Sequence, residues 1–406
     1  MAVIVQKYGG TSVGSLNRIE AVAENIIQTR QQGHQVVAVL SAMSGETNRL
    51  LSLAQSLDKH PASRELDVLL ATGEQVSIAL LAIALIQRGY SAISLLAHQV
   101  GIVTDNHFGR AHIKHIKTKR LAQALEQEQI VLVAGFQGVD HENNITTLGR
   151  GGSDTSAVAI AAALQANECQ IFTDVDGIYS ADPRIVPQAK RLDHIRFDEM
   201  LVMANLGAKV LQNRAVEYAM RHNLTIRVLS SFNQGVGTQV TNHYSEEMPQ
   251  NQLPVSSITH QQQELLLTLN NIRSHQLTAE YIQALADKGI ELDMLNQTVM
   301  ADESITLSFT IHQDSEQQVL KILQNDISNN AGVTIKLDHN VAKLSVVGAG
   351  IKSKTETIGQ FFKALSDEKI EIMLISSSEI HISVIINKQD LMKGVHALHN
   401  TFSLYL

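Results

Sequence analysis

The sequence predicts an α/β protein, in which a mostly parallel sheet sandwiched by helices is followed by two small βαββαβ repeats. Three observations predict this fold class. Apolar strands alternate with helical segments before residue 240, most of the 24 glycines lie in that same region, and a later segment repeats itself. A chain of 406 residues is also long enough for two to three domains.

The first region reads as a series of βαβ units. Its strand-like runs are Val3–Gly9, Val36–Ala42, Ala92–Ala97, Ile130–Gly135 and Cys169–Val175. Its helical patterns cover Ser15–Gln32, Arg64–Arg88, Lys119–Gln129 and Thr155–Asn167. Continuous apolar strands separated by helices are typical of a parallel sheet that is covered on both faces. We assign residues 1–245 to this domain.

A linker is predicted at residues 246–260, because this region is polar, contains Pro249 and Pro254 and lacks apolar periodicity. Beyond it, Ala284–Leu292 and Ala364–Ile372 share five of nine residues, and each joins the end of a helix to a strand. Strands and helices flank both segments in the same order. We therefore predict two ferredoxin-like βαββαβ repeats, at residues 261–337 and 338–406.

Composition and charge exclude several classes of protein. The net charge of −8 opposes non-specific binding to nucleic acid, and the basic run from Arg110 to Arg120 lacks aromatic residues that would stack on bases, so we interpret it as a solvated face. The apolar stretch Val76–Ile86 is about half the length of a membrane span. Without a recognisable signal peptide, we expect a cytoplasmic protein. The single cysteine, Cys169, lies in an apolar context that favours a packed thiol.

A lysine followed by glycines ends the first predicted strand. Lys7 precedes Gly9 and Gly10, and Ser15 occupies the position where a P-loop would have its lysine, so a Walker motif is excluded. Backbone amides and the start of a helix follow Lys7, which is an arrangement suited to phosphate. The alternative is a surface lysine beside a structural turn.

A second glycine-rich segment surrounds an arginine. Arg150 lies between Gly149 and Gly151–Gly152, and Ser153 and Asp154 then lead into a helix. Free amides and a helix N-terminus beside an arginine favour the binding of an anion.

Three further segments carry polar groups at predicted strand ends or in apolar surroundings. The turn Ser41–Thr47 is rich in hydroxyls, Glu74 lies in an apolar helical stretch, and Thr173–Arg184 contains a DxDG sequence. Phe172 and Pro183 occupy positions at which an EF-hand loop needs ligands, so that calcium motif is excluded. Two of these segments also have a purely structural interpretation. The turn Ser41–Thr47 would then be an ordinary loop, and Glu74 would cap a helix or form a salt bridge.

Together these segments resemble the aspartate kinase family of the amino-acid kinase superfamily. The motifs are KYGGTS, SAMSG, TGE, TLGRGGSDTSA, TDVDGIYSADPR and GAKVL, in the family's order, and the paired repeats resemble its two ACT domains. The resemblance implies the amino-acid kinase fold and transfer of the γ-phosphoryl group of ATP, with Mg²⁺, to the β-carboxylate of L-aspartate. That reaction would open the route to lysine, threonine and methionine.

The resemblance also implies a role for each motif residue. Lys7, Asp154 and Arg150 would be catalytic, with Asp154 orienting either Lys7 or the metal, and no residue is assigned as a protein ligand to the metal. The nucleotide would contact Lys7, Gly9, Gly10, Ser41, Thr173, Asp174, Tyr179, Asp182, Arg184 and Lys209. Aspartate would contact Ser41, Thr47, Glu74, Arg150, Gly151, Gly152 and Ser153. The sequence departs from the family after GAKVL, where it continues with Gln212 and Asn213.

Regulation and assembly follow from the same resemblance. The ACT domains imply an amino-acid effector, lysine or threonine, and a homodimer or higher homo-oligomer. The corresponding effector loops, Ile272–Gln276 and Lys352–Glu356, lack the Pro-Gly turn of sensitive relatives, so we expect weak or absent inhibition. Two alternatives stay open: another phosphotransferase of the superfamily, and a catalytically silent amino-acid sensor.

Overall fold

The computed structural model describes residues 2–208, 210–242, 255–327, 332–352 and 354–405. The chain divides into two compact units. Unit 1 comprises residues 1–178, 191–204 and 209–248, and unit 2 comprises residues 179–190, 205–208 and the chain from 249 onward. The predicted first domain at 1–245 is therefore interrupted twice, by short segments that belong to unit 2.

Unit 1 contains twelve strands among the residues described. They are β1 (Val3–Tyr8), β2 (Gln35–Leu40), β3 (Ala92–Leu95), β4 (Ile102–Thr104), β5 (Ile113–Ile116), β6 (Ile130–Ala134), β7 (Gln137–Val139), β8 (Ile145–Thr147), β9 (Glu168–Thr173), β10 (His194–Ile195), β11 (Ile226–Ser230) and β12 (Thr238–Val240). Eight of them form one sheet in the order β10-β12-β11-β9-β1-β2-β6-β3. All its pairs are parallel except β11 with β12, which confirms the predicted mostly parallel sheet.

The helices of this half of the chain cover both faces of the sheet's apolar strands. They are α1 (Leu16–Gln31), α2 (Glu46–Leu57), α3 (Ser63–Leu70), α4 (Thr72–Gln87), α5 (Ala97–Val100), α6 (Lys119–Glu126), α7 (Gly152–Ala163), α8 (Phe197–Asn205) and α9 (Asn213–His222). Helix α1 begins where predicted because the Ser15 hydroxyl accepts a hydrogen bond from the backbone N–H of Arg18, which caps the helix. Its apolar face, with Ile19 and Ile26, is buried against β2 and α4.

The predicted helix Arg64–Arg88 is two helices, α3 and α4, which meet at Ala71. The segment Ser63–Gln87 is long and apolar enough to cross a membrane by length and composition. However, Ile78, Leu81 and Leu85 are buried in the core beside the sheet, so α4 is a core helix of unit 1.

Four short strands form a second sheet in unit 1, in the order β5-β4-β7-β8. The sequence did not predict it, because strands of three or four residues carry too little periodicity to be recognised. Strand β8 leads directly into the glycine-rich segment around Arg150, so this small sheet positions one of the predicted site segments.

Unit 2 contains eight strands and four helices in its described part. The strands are β13 (Ser257–Gln261), β14 (Glu264–Ile272), β15 (Asp293–Val299), β16 (Ile305–His312), β17 (Thr334–Asp338), β18 (Val341–Val347), β19 (Ile372–Ser377) and β20 (His381–Asn387). The helices are α10 (His275–Asp287), α11 (Glu316–Ile327), α12 (Thr355–Asp367) and α13 (Leu391–Thr401). The first repeat runs β14-α10-β15-β16-α11-β17, and its sheet has the order β15-β16-β14-β17.

The second repeat takes one strand from outside its own segment. Its sheet has the order β13-β18-β20-β19, and β13 pairs antiparallel with β18 from Ser257↔Val347 to Gln261↔Lys343. The predicted linker at 246–260 is therefore wrong for residues 257–260, which form part of β13. The prediction that residues 338–406 hold a complete βαββαβ unit is also wrong, because the fourth strand of this sheet is β13 and not a strand after α13. This strand was not predicted because Thr259 and His260 are polar and interrupt any apolar pattern. Ile258, in contrast, packs into the core of the second repeat.

The segment 179–190 also belongs to unit 2. Its residues Ala181, Val186 and Ala189 are buried in the core of the second repeat, and the Ser180 hydroxyl donates to the carbonyl of Leu404. The sequence placed this segment in the first domain because it follows β9 directly along the chain.

Candidate active site

A cavity of about 480 Å³ lies at the carboxyl ends of β1 and β2, beside the start of α7. Ligands bind open parallel sheets at this edge. Most of the predicted site residues line it, namely Lys7, Gly9, Gly10, Ser41, Thr47, Glu74, Arg150, Gly151, Gly152, Ser153 and Asp154. Four separate stretches of predicted site sequence therefore converge on one cavity in unit 1.

Lys7 and Asp154 form an ion pair on the wall of this cavity. The Lys7 Nζ atom lies 2.6 Å from Asp154 Oδ1, and both side chains are nearly buried. Lys7 is the fifth residue of β1, and Asp154 lies in the first turn of α7. The pair fixes the position of the ammonium group at the cavity, and the low exposure of both side chains means that water screens these charges only weakly.

The first turn of α7 provides backbone donors next to this pair. Helix α7 begins at Gly152, and its N-cap, Gly151, has a left-handed backbone with φ of +70°. A side chain at this position would overlap Gln212, so glycine is required for both conformation and space. The N-terminus of α7 therefore presents free N–H groups and the positive end of its dipole to the cavity.

Glu74 contributes a buried carboxylate with an unused oxygen. The backbone N–H of Ala42 donates to Glu74 Oε1 at 3.0 Å, whereas Oε2 is buried without a hydrogen-bond partner among the described residues. Burial raises the pKa of Glu74 to about 7, and the hydrogen bond from Ala42 only partly opposes this effect. A cationic group placed beside Oε2 would satisfy this atom and favour the ionised carboxylate.

Arg150 supplies a second cation at the mouth of the cavity. Its side chain is exposed and makes no ion pair with any residue that the structure describes. Gly149, with φ of +75°, turns the chain immediately before it. A guanidinium group that is not engaged in a salt bridge is available for bidentate binding of a carboxylate or phosphate.

The buried Asp67 supports the Arg150 segment, and the sequence analysis did not identify it. Its carboxylate accepts hydrogen bonds from the backbone N–H groups of Gly109 and Thr147 and from the Thr147 hydroxyl, at 2.7 to 2.9 Å. These bonds fix the end of β8, two residues before Gly149. The available signal was an aspartate directly before the apolar run 68–70 of α3, because a carboxylate that is buried needs several donors.

The cavity is also lined by residues that were not predicted as site residues, namely Thr11, Ala42, Met43, Ser44, Gly45, Phe136, Gly149 and Gln212. Of these, only Phe136 and Gln212 lie outside the predicted motifs. Gln212 is one of the two residues at which the sequence departs from the family pattern. Its contact with Gly151 places this departure at the site.

The predicted nucleotide residues do not all line this cavity. Thr173 and Asp174 follow β9, which pairs with β1, so they lie at the same edge of the sheet as Lys7. The Ser231 hydroxyl links this edge to Ser12, since it donates to the carbonyl of Thr173 and accepts from the Ser12 hydroxyl.

The other nucleotide residues lie in unit 2 or outside the described residues. Tyr179 packs against the core of the second repeat, and Asp182 pairs with the exposed Arg184 at 2.7 Å. Lys209 lies outside the residues that the structure describes.

The arrangement in unit 1 suits a reaction between two anions. Lys7, Arg150 and the α7 amides supply positive charge, and the Glu74 carboxylate supplies one negative position. Cys169 is buried behind the site, and burial raises the pKa of its thiol, so no thiolate is available there. Positioning and electrostatic stabilisation are therefore the means of catalysis that this site offers.

The basic run between Arg110 and Arg120 lies elsewhere on unit 1. Its lysine and arginine side chains are exposed, as predicted, but Lys117, Lys119 and Arg120 also border a separate cavity of about 600 Å³.

Comparison with known proteins identifies the relatives of the chain. A model of the amino acid kinase family matches residues 2–230, and an ACT domain model matches residues 344–402. An aspartokinase of Pseudomonas aeruginosa is 48% identical over 405 residues, covering 100% of this chain and 98% of that protein. An aspartokinase of Geobacillus stearothermophilus is 44% identical with the same coverage.

A solved structure agrees with these sequence relatives. The crystal structure of Escherichia coli aspartokinase III in complex with aspartate and ADP matches with a TM-score of 0.78 at 26% identity, covering 98% of this chain and 99% of that one. The family match over more than half of the chain and the full-length relatives lead to one conclusion. The chain is a kinase that belongs to the amino acid kinase family and, within it, to the aspartokinases.

Proposed function

We propose that this protein transfers the γ-phosphoryl group of ATP to the β-carboxylate of L-aspartate and forms 4-phospho-L-aspartate. One observation supports this most directly: the Lys7–Asp154 pair and the start of α7 share a cavity with Glu74 and Arg150. Phosphate-binding groups and groups that complement an amino acid thus face the same space. The full-length aspartokinase relatives support the same reaction.

Aspartate would bind through charge complementarity at both of its α-substituents. Arg150 would hold the α-carboxylate, and the unpartnered Oε2 of Glu74 would accept from the ammonium group. The hydroxyls of Ser41, Thr47 and Ser153 line the same cavity and would complete the polar contacts. The β-carboxylate, with a pKa of about 3.9, is already ionised at neutral pH, so no general base is needed.

The phosphate groups would lie against Lys7 and the surrounding amides. Lys7 would neutralise charge on the transferring phosphoryl group. The N–H of Gly10 would donate to its oxygens, and the N–H of Gly9 would do so by giving up its long contact of 3.4 Å with the carbonyl of Phe172. Asp154 would keep Lys7 in place through their ion pair.

Mg²⁺ would enter with ATP and shield the phosphate charges. A carboxylate donor suits this ion; Asp154 lines the cavity beside Lys7, and Asp174 follows β9 at the same edge of the sheet. The ion would be held mainly by phosphate oxygens and water, because one ionised oxygen of Asp154 is committed to Lys7.

The remaining nucleotide contacts are proposed from the resemblance. Thr173 and Asp174 have a supporting position, at the sheet edge beside Lys7. Tyr179, Asp182, Arg184 and Lys209 are assigned from their places in the TDVDGIYSADPR and GAKVL motifs alone.

The activity is tested with purified protein, MgATP, L-aspartate and hydroxylamine, which traps an acyl phosphate as its hydroxamate. We expect hydroxamate that depends on aspartate, with ADP formed in equal amount. Replacing aspartate with glutamate or N-acetylglutamate tests the other phosphotransferases of the family. An absence of product and of ATP consumption would contradict the proposal and favour a silent sensor, which a thermal shift by free amino acids but not by MgATP would identify.

Regulation, assembly and location form a separate part of the proposal. The second repeat contains the matched ACT domain, and we assign the first repeat as another because its strands and helices follow the same order. Escherichia coli aspartokinase III has been solved in complex with lysine and aspartate, which supports an amino-acid effector, lysine or threonine, at these repeats. From the family resemblance we also propose a homodimer or higher homo-oligomer formed through the repeats, and a location in the cytoplasm.

Inhibition by lysine or threonine is expected to be weak or absent. In the first repeat, the Ser274 hydroxyl already accepts from the N–H of Gln276 and caps α10, and no Pro-Gly turn precedes the helix. The assay repeated with each end-product amino acid tests this expectation. Strong inhibition at sub-millimolar lysine or threonine would contradict it.

A further inference from the structure

A carboxylate and two imidazoles meet in the loop that joins β4 to β5. Asp105, His107 and His112 each contribute one possible ligand atom, and these three atoms lie within 4.8 Å of one another. Asp105 Oδ2 lies 3.0 Å from His112 Nδ1, and Oδ1 lies 3.3 Å from His107 Nδ1. Of these three residues, only His112 lies within the basic run from Arg110 to Arg120.

The backbone holds this group of side chains in place. The N–H groups of His107 and His112 both donate to Asp105 Oδ1, at 3.3 and 3.0 Å, so one carboxylate closes the loop on itself. The Asp105 side chain is only 13% exposed, whereas His107 and His112 are 73% and 57% exposed. The carboxylate is therefore fixed, and the imidazoles can be reached from solvent.

The spacing of the three atoms is close to that of a metal site. Ligand atoms bound at about 2.0–2.2 Å to a tetrahedral ion lie about 3.4 Å from one another. The distances of 3.0 Å from His112 Nδ1 to Asp105 Oδ2 and of 3.3 Å from His107 Nδ1 to Asp105 Oδ1 are each within a few tenths of an ångström of this value, and they end on different oxygens of one carboxylate. Small rotations of the exposed imidazole rings would bring both nitrogens toward the same oxygen.

The ligand types select the kind of ion. Two imidazoles and one carboxylate suit Zn²⁺ and its neighbours in the transition series, whereas Mg²⁺ prefers oxygen ligands. Three protein ligands leave a coordination position for water.

From this geometry we propose that Asp105, His107 and His112 form a binding site for a divalent transition metal ion of the Zn²⁺ class. Each ring nitrogen that binds the ion gives up its hydrogen bond to Asp105, and the neutral ring carries its proton on the other nitrogen. The site is separate from the Lys7 cavity, whose lining includes none of the three residues.

The loop also contacts the segment that carries Arg150. The N–H of Ala111 donates to the carbonyl of Thr147 at 2.9 Å, and the N–H of Gly109 donates to Asp67, which also holds Thr147. A metal ion that cross-links residues 105, 107 and 112 would restrain the backbone at this contact. Slower hydrogen exchange of the loop amides is therefore an expected consequence of occupancy.

Titration of the full-length, chelator-treated protein with Co²⁺ and Zn²⁺ tests the site. We expect visible d–d absorption from Co²⁺ bound in a low-coordinate site, which one equivalent of Zn²⁺ removes. His107→Ala and His112→Ala should each weaken binding at least about tenfold, since loss of even a supporting residue costs 10–100-fold at metal sites. The double variant should lose the spectrum altogether.

His115→Ala is the matched control, because His115 is an exposed histidine of strand β5, in the same hairpin, but outside the group of three. It should bind Co²⁺ as the unmodified protein does. The proposal is wrong if the unmodified protein gives only the spectrum of hydrated Co²⁺, or if the double variant binds as tightly as His115→Ala. Hydrogen exchange measured with and without Zn²⁺ provides a second test that needs no enzymatic activity, and equal exchange of the 105–112 amides would also contradict it.

Discussion

The ion pair between Lys7 and Asp154 joins two motifs that lie 147 positions apart in the sequence. The sequence predicted both residues at the site and allowed Asp154 to orient either Lys7 or a metal. Their separation of 2.6 Å favours the first role. Neither residue's partner could be identified from local sequence, because the pairing depends on β1 and the start of α7 meeting in the fold.

We predict that Lys7→Ala lowers kcat by at least about 10²–10³, which is the cost of removing one preorganised donor from a developing negative charge. The fold should persist, since Lys7 is at the rim of the sheet and not in its apolar core. Steady-state kinetics and circular dichroism measure the two effects. Lys59→Ala, at an exposed loop position, is the control, and an active Lys7→Ala enzyme would place the phosphate site elsewhere.

The pKa of Glu74, raised by burial to about 7, predicts a pH-dependent affinity for aspartate. Below pH 7 the side chain is mostly neutral and attracts the substrate's ammonium group weakly; above pH 7 it is ionised. KM for aspartate should therefore fall as the pH rises through about 7. In Glu74→Gln the KM for aspartate should be higher and nearly independent of pH over this range. If the KM of the variant instead changed with pH as that of the unmodified protein does, Glu74 would not be the group that binds the ammonium group.

The same pKa has the opposite effect on the stability of the free protein. Its value in the folded state lies above the usual 4.5, so the folded protein binds more protons than the unfolded chain between about pH 4.5 and 7. The contribution of this group to the free energy of unfolding is fully present below about pH 4.5 and is lost as the pH rises to about 7. This loss amounts to at most about 3 kcal/mol. We therefore expect the stability of Glu74→Gln, measured relative to the unmodified protein by thermal unfolding without ligand, to be higher at pH 8 than at pH 5.

At the scale of the elements, long apolar segments were predictable and short or polar ones were not. Strands β2 and β6 are continuous runs of buried aliphatic residues, so their assignment followed from composition. The break between α3 and α4 at Ala71 carries no proline or exposed glycine, and β13 contains mostly polar residues. Such features are decided by tertiary contacts, which local periodicity does not contain.

A buried lysine links strands of the two repeats in unit 2. Lys343, on β18, is 1% exposed and lies 3.6 Å from Glu264 at the start of β14, and it also contacts Asp293. Burial raises the pKa of Glu264, although the Lys343 charge opposes this effect. Removing the lysine alone would leave a buried acid without its cation.

We predict that Lys343→Ala lowers the free energy of unfolding of this unit by about 3–5 kcal/mol, the usual cost of breaking a buried ion pair from one side. Replacing both partners, in Lys343→Met with Glu264→Gln, should recover most of that loss. Denaturant titration measures both. Lys352→Met is the control, because its pair with Glu379 is exposed and such pairs contribute little; an equally small effect at Lys343 would contradict the prediction.

At the scale of the whole chain, the two repeats are not consecutive modules. Strand β13 precedes the first repeat in sequence but belongs to the sheet of the second, and residues 179–190 also join the second repeat's core. The predicted boundaries at 261 and 338 followed the internal sequence similarity, which marks equivalent helices correctly. Internal similarity could not identify β13 as a strand of the second sheet, because β13 precedes the first repeat, whereas the repeat pattern places the fourth strand after α13.

This topology predicts which elements a destabilising substitution in β13 will affect. Ile258 is 3% exposed in the core shared with β18 and β20, so Ile258→Ala should cost about 2–5 kcal/mol through the cavity it leaves. Hydrogen exchange should accelerate in β18, β20 and α13, more than 80 residues away in sequence, while β14 and β16 keep their protection. Leu267→Ala, at a fully buried position of β14, is the matched variant and should give the reverse pattern. Faster exchange confined to the first repeat in Ile258→Ala would mean that the repeats are arranged consecutively and that β13 does not complete the second sheet.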